Sequence, residues 1–248
     1  KKIIIATKCG LLPHTNWNMP EKFTLSHIKN SIISSMRRLK TNHIDILQLH
    51  SPSKKVLYSK KFKKIINLLE KFRLEGKISI HGVSVRDPMD GIFLINNYKE
   101  IKVIQVNFNL LDQRANDIGL FKLAKRKKVN IIVRTPLCFG FLSSKIKKKK
   151  HFSETDHRKR WSDEQISLWN YGRKLFLKKK PTDRTMSQFS INFCNSFEGV
   201  TCVIPGSMNE RQLKENVGSS RKKNITKKAI NKLKTLYQST NWMADINK

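Results

Sequence analysis

The chain has 248 residues, 38% of them hydrophobic, and its 51 Lys+Arg against 18 Asp+Glu give a formal net charge of +33. Length and apolar content suit one large domain with a sizeable core rather than a string of small ones. No apolar run approaches the roughly 20 residues of a bilayer span, and "KKIIIATKCG" has neither the length nor the cleavage site of a signal peptide, so a soluble, cytoplasmic, non-membrane protein is expected.

In chain order, apolar β-branched segments alternate with stretches of helical period, the pattern of repeated βα units around a parallel sheet. The strands predicted are 3–8 (IIIATK), 44–50 (IDILQLH), 78–84 (ISIHGVS), 103–109 (VIQVNFN), 130–136 (NIIVRTP) and 200–206 (VTCVIPG). Between them, helices are predicted over 25–40, 59–76, 88–99, 117–128 and 186–196, each with apolar residues three or four apart on one face. Polar or special residues recur at the strand ends: Lys8, His50, Ser84, Asn107, Arg134 and Gly206. In a parallel α/β barrel those ends open on one face, where active sites are built.

Six βα units are two short of a closed eight-stranded barrel. The fold expected is therefore α/β, an incomplete (β/α)8 TIM barrel in which this chain holds strands 3 to 8 as a single domain over 1–248. The first two units, on the order of 60 residues at about 30 per unit, are expected upstream of residue 1. A six-stranded doubly wound sheet is the alternative, but no Gly-rich phosphate loop follows the first strand.

Cys9, Cys138, Cys194 and Cys202 show no C-x-x-C spacing and read as reduced, mostly buried thiols, with no metal site. The lysine runs, among them "KKFKK", "KLAKRKK" and "KIKKKK", have few aromatics interleaved. They read as solvated helix faces, and a nucleic-acid partner is not expected despite the charge.

"IIIATKCG", "SSMRRLKTNHIDILQLHSP", "LEGKISIHGVSV", "IQVNFNLLDQR", "VRTPLCFGFLSSK", "DHRKRW" and "VIPGSMNERQLKEN" resemble, in that order, the successive motifs of the aldo-keto reductases. The resemblance runs from residue 3 to about 217 and implies a barrel entered at its third strand. It also implies reduction of an aldehyde or ketone, or oxidation of an alcohol, by hydride transfer with NADPH, using an Asp, Tyr, Lys and His tetrad without metal or flavin. A hydride reaching carbonyl carbon leaves negative charge on oxygen, so hydrogen-bond donors and a proton source must surround that oxygen.

By match, Lys8 is the lysine whose ammonium lowers the pKa of the tyrosine acid, and His50 is the histidine that orients the substrate carbonyl. Asp45, inside the same strand as His50, reads as a structural partner. The tetrad aspartate and tyrosine have no counterpart in this chain, and the surroundings of Tyr58 do not resemble the tyrosine motif. That absence leaves a second expectation open: a nucleotide-binding, non-catalytic member of the family.

For the cofactor, Ser84 and Gln105 match the residues that hold the nicotinamide carboxamide, a group needing both a donor and an acceptor. Val85 stands where asparagine is usual. Arg134 takes the position of a stacking aromatic, and Pro136, Leu137, Gly140, Leu142 and Lys145 follow the pyrophosphate loop. Gly206, Ser207, Met208, Asn209 and Arg211 fall at the adenosine ribose phosphate, with Gln212, Glu215 and Asn216 at the adenine and a helix beginning near Asn209. Met208 stands where a serine or basic residue is frequent, which leaves Arg211 to distinguish NADPH from NADH.

Residues 145–181 are too long for a plain loop and are expected to carry a helix around 163–176 and to cover the barrel mouth, with His157 of "DHRKRW" anchoring the loop. The loop with His14 and Trp17 is expected to wall the substrate pocket from the other side.

Overall fold

The computed structural model describes residues 3–13, 19–144, 152–154 and 156–243. Its strands are β1 (Ala6–Cys9), β2 (Ile44–His50), β3 (Ile78–Ser84), β4 (Val103–Asn107), β5 (Asn130–Arg134) and β6 (Val200–Ile204), which follow one another in the sheet as in the chain. Pairing is parallel from β1 through β4. The chain divides into two units, 1–106 with 123–131, and 107–122 with 132–248.

In the first unit, α1 (Leu25–Arg38), α2 (Lys54–Leu57), α3 (Lys60–Leu74) and α4 (Pro88–Asn97) accompany β1 to β4. Thr24 caps α1 by accepting from the His27 N–H, and Arg37 and Arg38 in its last turn oppose the negative end of the helix dipole. Asp87 caps α4, with Pro88 in the first turn, where its missing N–H costs nothing. The buried stripe of α3, Phe62, Ile65, Ile66, Leu69 and Phe72, shows the three-and-four spacing of a core-facing helix. Asp45 in β2 accepts from the Ile5 N–H at 2.9 Å, tying the start of β1 to β2 as a structural partner should.

β3 and α3 are joined by a buried polar link. The His81 ring nitrogen Nε2 lies 2.6 Å from Glu70 Oε1, and Arg73 donates through Nε to both Glu70 oxygens. Burial of His81 lowers its pKa and outweighs the pull of Glu70, so the ring is neutral. Burial pushes the Glu70 carboxyl up, but hydrogen bonds from Arg73 and His81 leave it below its usual value.

A histidine whose folded pKa is depressed contributes stability above its unfolded value near 6.5, and that contribution is lost as pH falls below it, because only the unfolded chain takes up the proton. Thermal melts between pH 7.5 and 5.5 are expected to show this loss in the native protein and a flatter profile in His81→Gln, which keeps a donor for Glu70. Parallel profiles for the two proteins would refute the link.

The second unit holds α5 (Arg114–Asp117), α7 (Asp163–Leu177), α8 (Met186–Asn195), α9 (Glu210–Gly218), α10 (Lys227–Gln238) and β6, with α6 (Leu120–Arg126) beginning in it. Its core centres on Phe108, stacked on Phe193 at 5.5 Å and edge-on to Phe121 and Phe197. Trp169 donates to the Trp242 carbonyl at 2.8 Å, fastening the chain after α10 to α7. Among the four thiols, Cys9, Cys138 and Cys194 are buried and Cys202 is exposed, all of them free.

Several boundaries differ from the sequence expectation. β1 starts at Ala6, because Ile3 and Ile4 are 82% and 68% exposed rather than in a strand. β4 and β5 stop two residues early, where Phe108 and Thr135 turn into bonded loops. The expected helix 117–128 is two, broken at Gly119 with φ +78°. α10 was not expected at all. Among the described residues no helix is long and apolar enough to cross a membrane.

Candidate active site

β1 and β2 deliver Lys8 and His50 to one cavity of about 610 Å³, whose far wall is the polar side of α1 with Asn30, Ser31 and Ser34. The register explains the placement. Lys8 stands opposite Gln48, two residues before His50, so all three point to the same face of the strands. His50 in turn stands opposite Ser84, and Ser84 opposite Gln105. The sequence-predicted pair and the two expected carboxamide ligands thus share one face of β1 to β4.

The chain just past His50 is fixed. Ser51 is left-handed, with φ +53°, and its N–H donates to the Ser84 carbonyl at 2.9 Å. Ser53 donates its N–H and hydroxyl to the Glu21 carboxylate, at 2.8 and 2.5 Å, which joins the loop after β2 to the loop after β1. A backbone held this firmly presets the direction of the His50 ring. Cys9, beside Lys8, is no rival nucleophile, since burial pushes its thiol up to about 12.

Three side chains on this face are buried and yet unmatched. Gln48, Ser84 and Gln105 are each no more than 2% exposed. Ser84 Oγ, Gln105 Oε1 and Gln48 Oε1 have no hydrogen-bond partner among the described residues. Buried polar atoms are nearly always bonded, and leaving one bare costs about 1–3 kcal/mol. Three on one face mark a place prepared for a polar ligand. Gln48 was missed by the sequence reading, although its spacing of two from His50 was the available signal.

Val85 cannot replace the missing asparagine: its side chain is fully buried, and its N–H donates to the Gln105 carbonyl. Nor is Tyr58 near this chemistry. Its hydroxyl donates to Asp90 at 3.0 Å, and its ring lies tilted against Phe93, with centroids 4.2 Å apart.

In the second unit, the loop after Arg134 is strained. Thr135, Cys138 and Phe139 hold φ of +53°, +44° and +55° without being glycine, and Gly140 follows at +96°. Asn109 donates to the Thr135 carbonyl and Ser190 to the Pro136 carbonyl, holding the loop in that form. Pro136 is buried and Leu142 fully so, and both serve packing; Leu137 and Gly140 are half-exposed. Lys145, His14 and Trp17 lie outside the described residues.

The segment 206–216 forms a bonded turn into α9. Asn209 caps the helix by accepting from the Gln212 N–H at 3.0 Å, while Gln212 Oε1 accepts from the Met208 N–H. Asn216 donates to the Gly206 carbonyl and to Ser207 Oγ. Glu215 accepts from the Thr185 hydroxyl at 2.6 Å. Asn216 therefore shapes the turn and Glu215 ties α9 to the cap of α8, whereas Arg211 and Met208 are exposed, and a Cβ added at Gly206 would meet open space. His157 sits against Phe139 at 5.6 Å, which fits a loop anchor. Among the described residues no group of three or more His, Cys, Asp or Glu could hold a metal ion.

The model of the aldo/keto reductase family matches residues 1–238. The chain belongs to the aldo/keto reductase family. The uncharacterized oxidoreductase YqkF of Bacillus subtilis is 25% identical to this aldo/keto reductase, over 94% of the chain and 73% of its own length. The NADP(+) aldo-keto reductase yakc of Schizosaccharomyces pombe is 26% identical, over 88% and 65%. Among solved structures, aldo-keto reductase AKR11C1 from Bacillus halodurans shares the fold with a TM-score of 0.75 at 24% identity, over 94% of this chain and 72% of that one. The glycerol dehydrogenase AKR11B4 from Gluconobacter oxydans does so with 0.77 at 20%, over 95% and 72%. Both neighbours place the α/β architecture in the TIM-barrel type of the family.

Proposed function

We propose that this chain binds NADPH and carries the lysine and histidine of a carbonyl-reducing site. The observation that carries the reading is the buried, unmatched pair Ser84 Oγ and Gln105 Oε1, on the same face as Lys8 and His50. A primary carboxamide offers two N–H donors and a carbonyl acceptor, and a hydroxyl with an amide oxygen is the complementary set. The residues fit the group. Arg134, Leu137 and Gly140 are the residues we assign to the flank of the nicotinamide and to the pyrophosphate. Gly206, Ser207, Asn209 and Arg211 are those we assign to the adenosine phosphate, and Gln212 to the adenine. The exposed Arg211 guanidinium supports a preference for the phosphorylated dinucleotide, as does the name of the relative yakc.

When bound, NADPH supplies the hydride. His50 holds the carbonyl oxygen through a ring N–H, and Lys8, on the same cavity, adds positive charge where oxygen becomes negative. Tyr58 does not deliver the proton, since Asp90 engages its hydroxyl. On this reading the six strands are the third to eighth of the barrel, and the proton donor belongs to the two units by which an eight-stranded barrel exceeds them. Four free thiols support a cytoplasmic setting.

Titration of the chain with NADPH, followed by cofactor fluorescence, tests the reading directly. Ser84→Ala and Gln105→Leu are each expected to weaken binding about tenfold, the worth of one buried hydrogen bond, while melting temperature stays level or rises. Equal affinity in all three proteins would remove the carboxamide site.

A further inference from the structure

The first unit has a second recess, of about 370 Å³, at the opposite end of its strands from Lys8 and His50. Lys102 and Val129 line it from just before β4 and β5, whereas Lys8 and His50 lie at the C-terminal ends of β1 and β2. Its lining is mixed, with the buried Ile95, Ile101 and Val129 at the floor beside the amides of Asn96 and Asn97. One wall is the Tyr98 ring, set edge-on against Phe62 at 5.2 Å. The rim carries four ammonium groups, of Lys63, Lys99, Lys102 and Lys127, against the single carboxylate of Glu100.

That carboxylate is already neutralised. Lys63 Nζ lies 2.6 Å from Glu100 Oε1, and this hydrogen bond holds the carboxyl below its usual pKa. Lys102 Nζ donates to the Lys99 carbonyl at 2.8 Å, which directs its ammonium across the rim. Lys99 and Lys127 make no ion pair among the described residues. They come from different connections, before β4 and before β5, and converge only because hydrogen bonds from Asn130 N–H and Nδ2 to the Lys102 carbonyl bring these connections together.

Elsewhere, lysines such as Lys61, Lys64, Lys228 and Lys232 lie exposed on helix faces. Here several line one recess of ligand size, where a pairing with an anion is stronger than on a flat surface.

We infer that this recess is a binding site for a phosphoryl-bearing small molecule, separate from the nicotinamide site. Lys99, Lys102 and Lys127 ligate the phosphoryl oxygens, and the body of the ligand rests on Tyr98 and the floor. Lysine suits this role as a compact charge that does not demand the planar geometry of arginine.

The probe is inorganic pyrophosphate, titrated calorimetrically into the chain in 0.15 M KCl. One-to-one binding is expected. It should weaken at least tenfold in the double variant Lys99→Gln/Lys127→Gln and stay within twofold in Lys228→Gln/Lys232→Gln, an equal charge loss on the exposed face of α10. It should also be unaffected by Arg211→Gln, which separates this recess from the dinucleotide phosphate site. Equal weakening in both lysine pairs would reduce the effect to the diffuse field of a basic protein and overturn the assignment. So would loss in Arg211→Gln alone, or no heat at millimolar pyrophosphate.

Discussion

His50→Ala and Lys8→Met are each expected to lower turnover of NADPH with a small aldehyde by on the order of 10²- to 10⁴-fold in a protein that carries this chain, leaving NADPH affinity within about twofold. The reason is the arrangement on β1 and β2. Both side chains reach one cavity, and on the proposed reading both serve the same developing charge, His50 through a hydrogen bond to the oxygen and Lys8 through its field. Neither pairs in register with Gln105, so the dinucleotide has little reason to leave. Because the two residues serve one transition state, the double variant should lose scarcely more than the worse single one. Steady-state rates, followed by NADPH absorbance, decide the matter. Rates unchanged in both single variants would end the catalytic assignment while leaving the nucleotide site standing.

Gly82→Ala should cost about 3 kcal/mol or more of stability, enough to unfold a marginal domain. A methyl group built at this position lies 1.8 Å from the Val103 carbonyl oxygen and 2.6 Å from its carbonyl carbon, atoms of backbone rather than of a yielding side chain. β3 and β4 pair here, Gly82 opposite Val103, and the added carbon can be admitted only by parting the strands. Urea unfolding of the variant is the direct measurement. A midpoint close to that of the native protein would show that β3 and β4 are not so closely apposed. NADPH affinity should fall as well, because parting the strands moves Ser84 away from Gln105, two pairs further along the same ladder.

The strands that were legible in the sequence are those whose environment is uniform. β2 and β3 match their expected limits because their C-terminal halves are mostly buried and turn or polar residues follow. β1 was misjudged because three isoleucines in a row read as a buried strand, while the observed pairing begins only at Ala6, opposite Ile46. α10 shows the opposite failure. Ala229, Ile230, Leu233, Leu236 and Tyr237 have helical spacing behind the Thr226 cap, but the lysines around them read as a bare charge run.

At the site, Lys8, His50, Ser84 and Gln105 could be named from motifs, and the register sets them on one face of β1 to β4. What no motif could give is whether a polar atom is already used. Asn216 and Glu215 match cofactor positions, yet Asn216 bonds the turn before α9 and Glu215 bonds the Thr185 cap of α8, whereas Gln48 matches nothing and offers a bare oxygen opposite Lys8. Such facts depend on three-dimensional neighbours, which lie tens of residues away along the chain.

The distribution of thiols has a practical consequence. Cys9, Cys138 and Cys194 are buried, and burial raises each above the ordinary thiol range, so maleimides and iodoacetamides should pass them by. Cys202, in the middle of β6, is the one thiol open to solvent. The native sequence therefore already carries a single attachment point for a fluorophore or spin label, and the ligand titrations can be read from a probe on β6 without removing any cysteine.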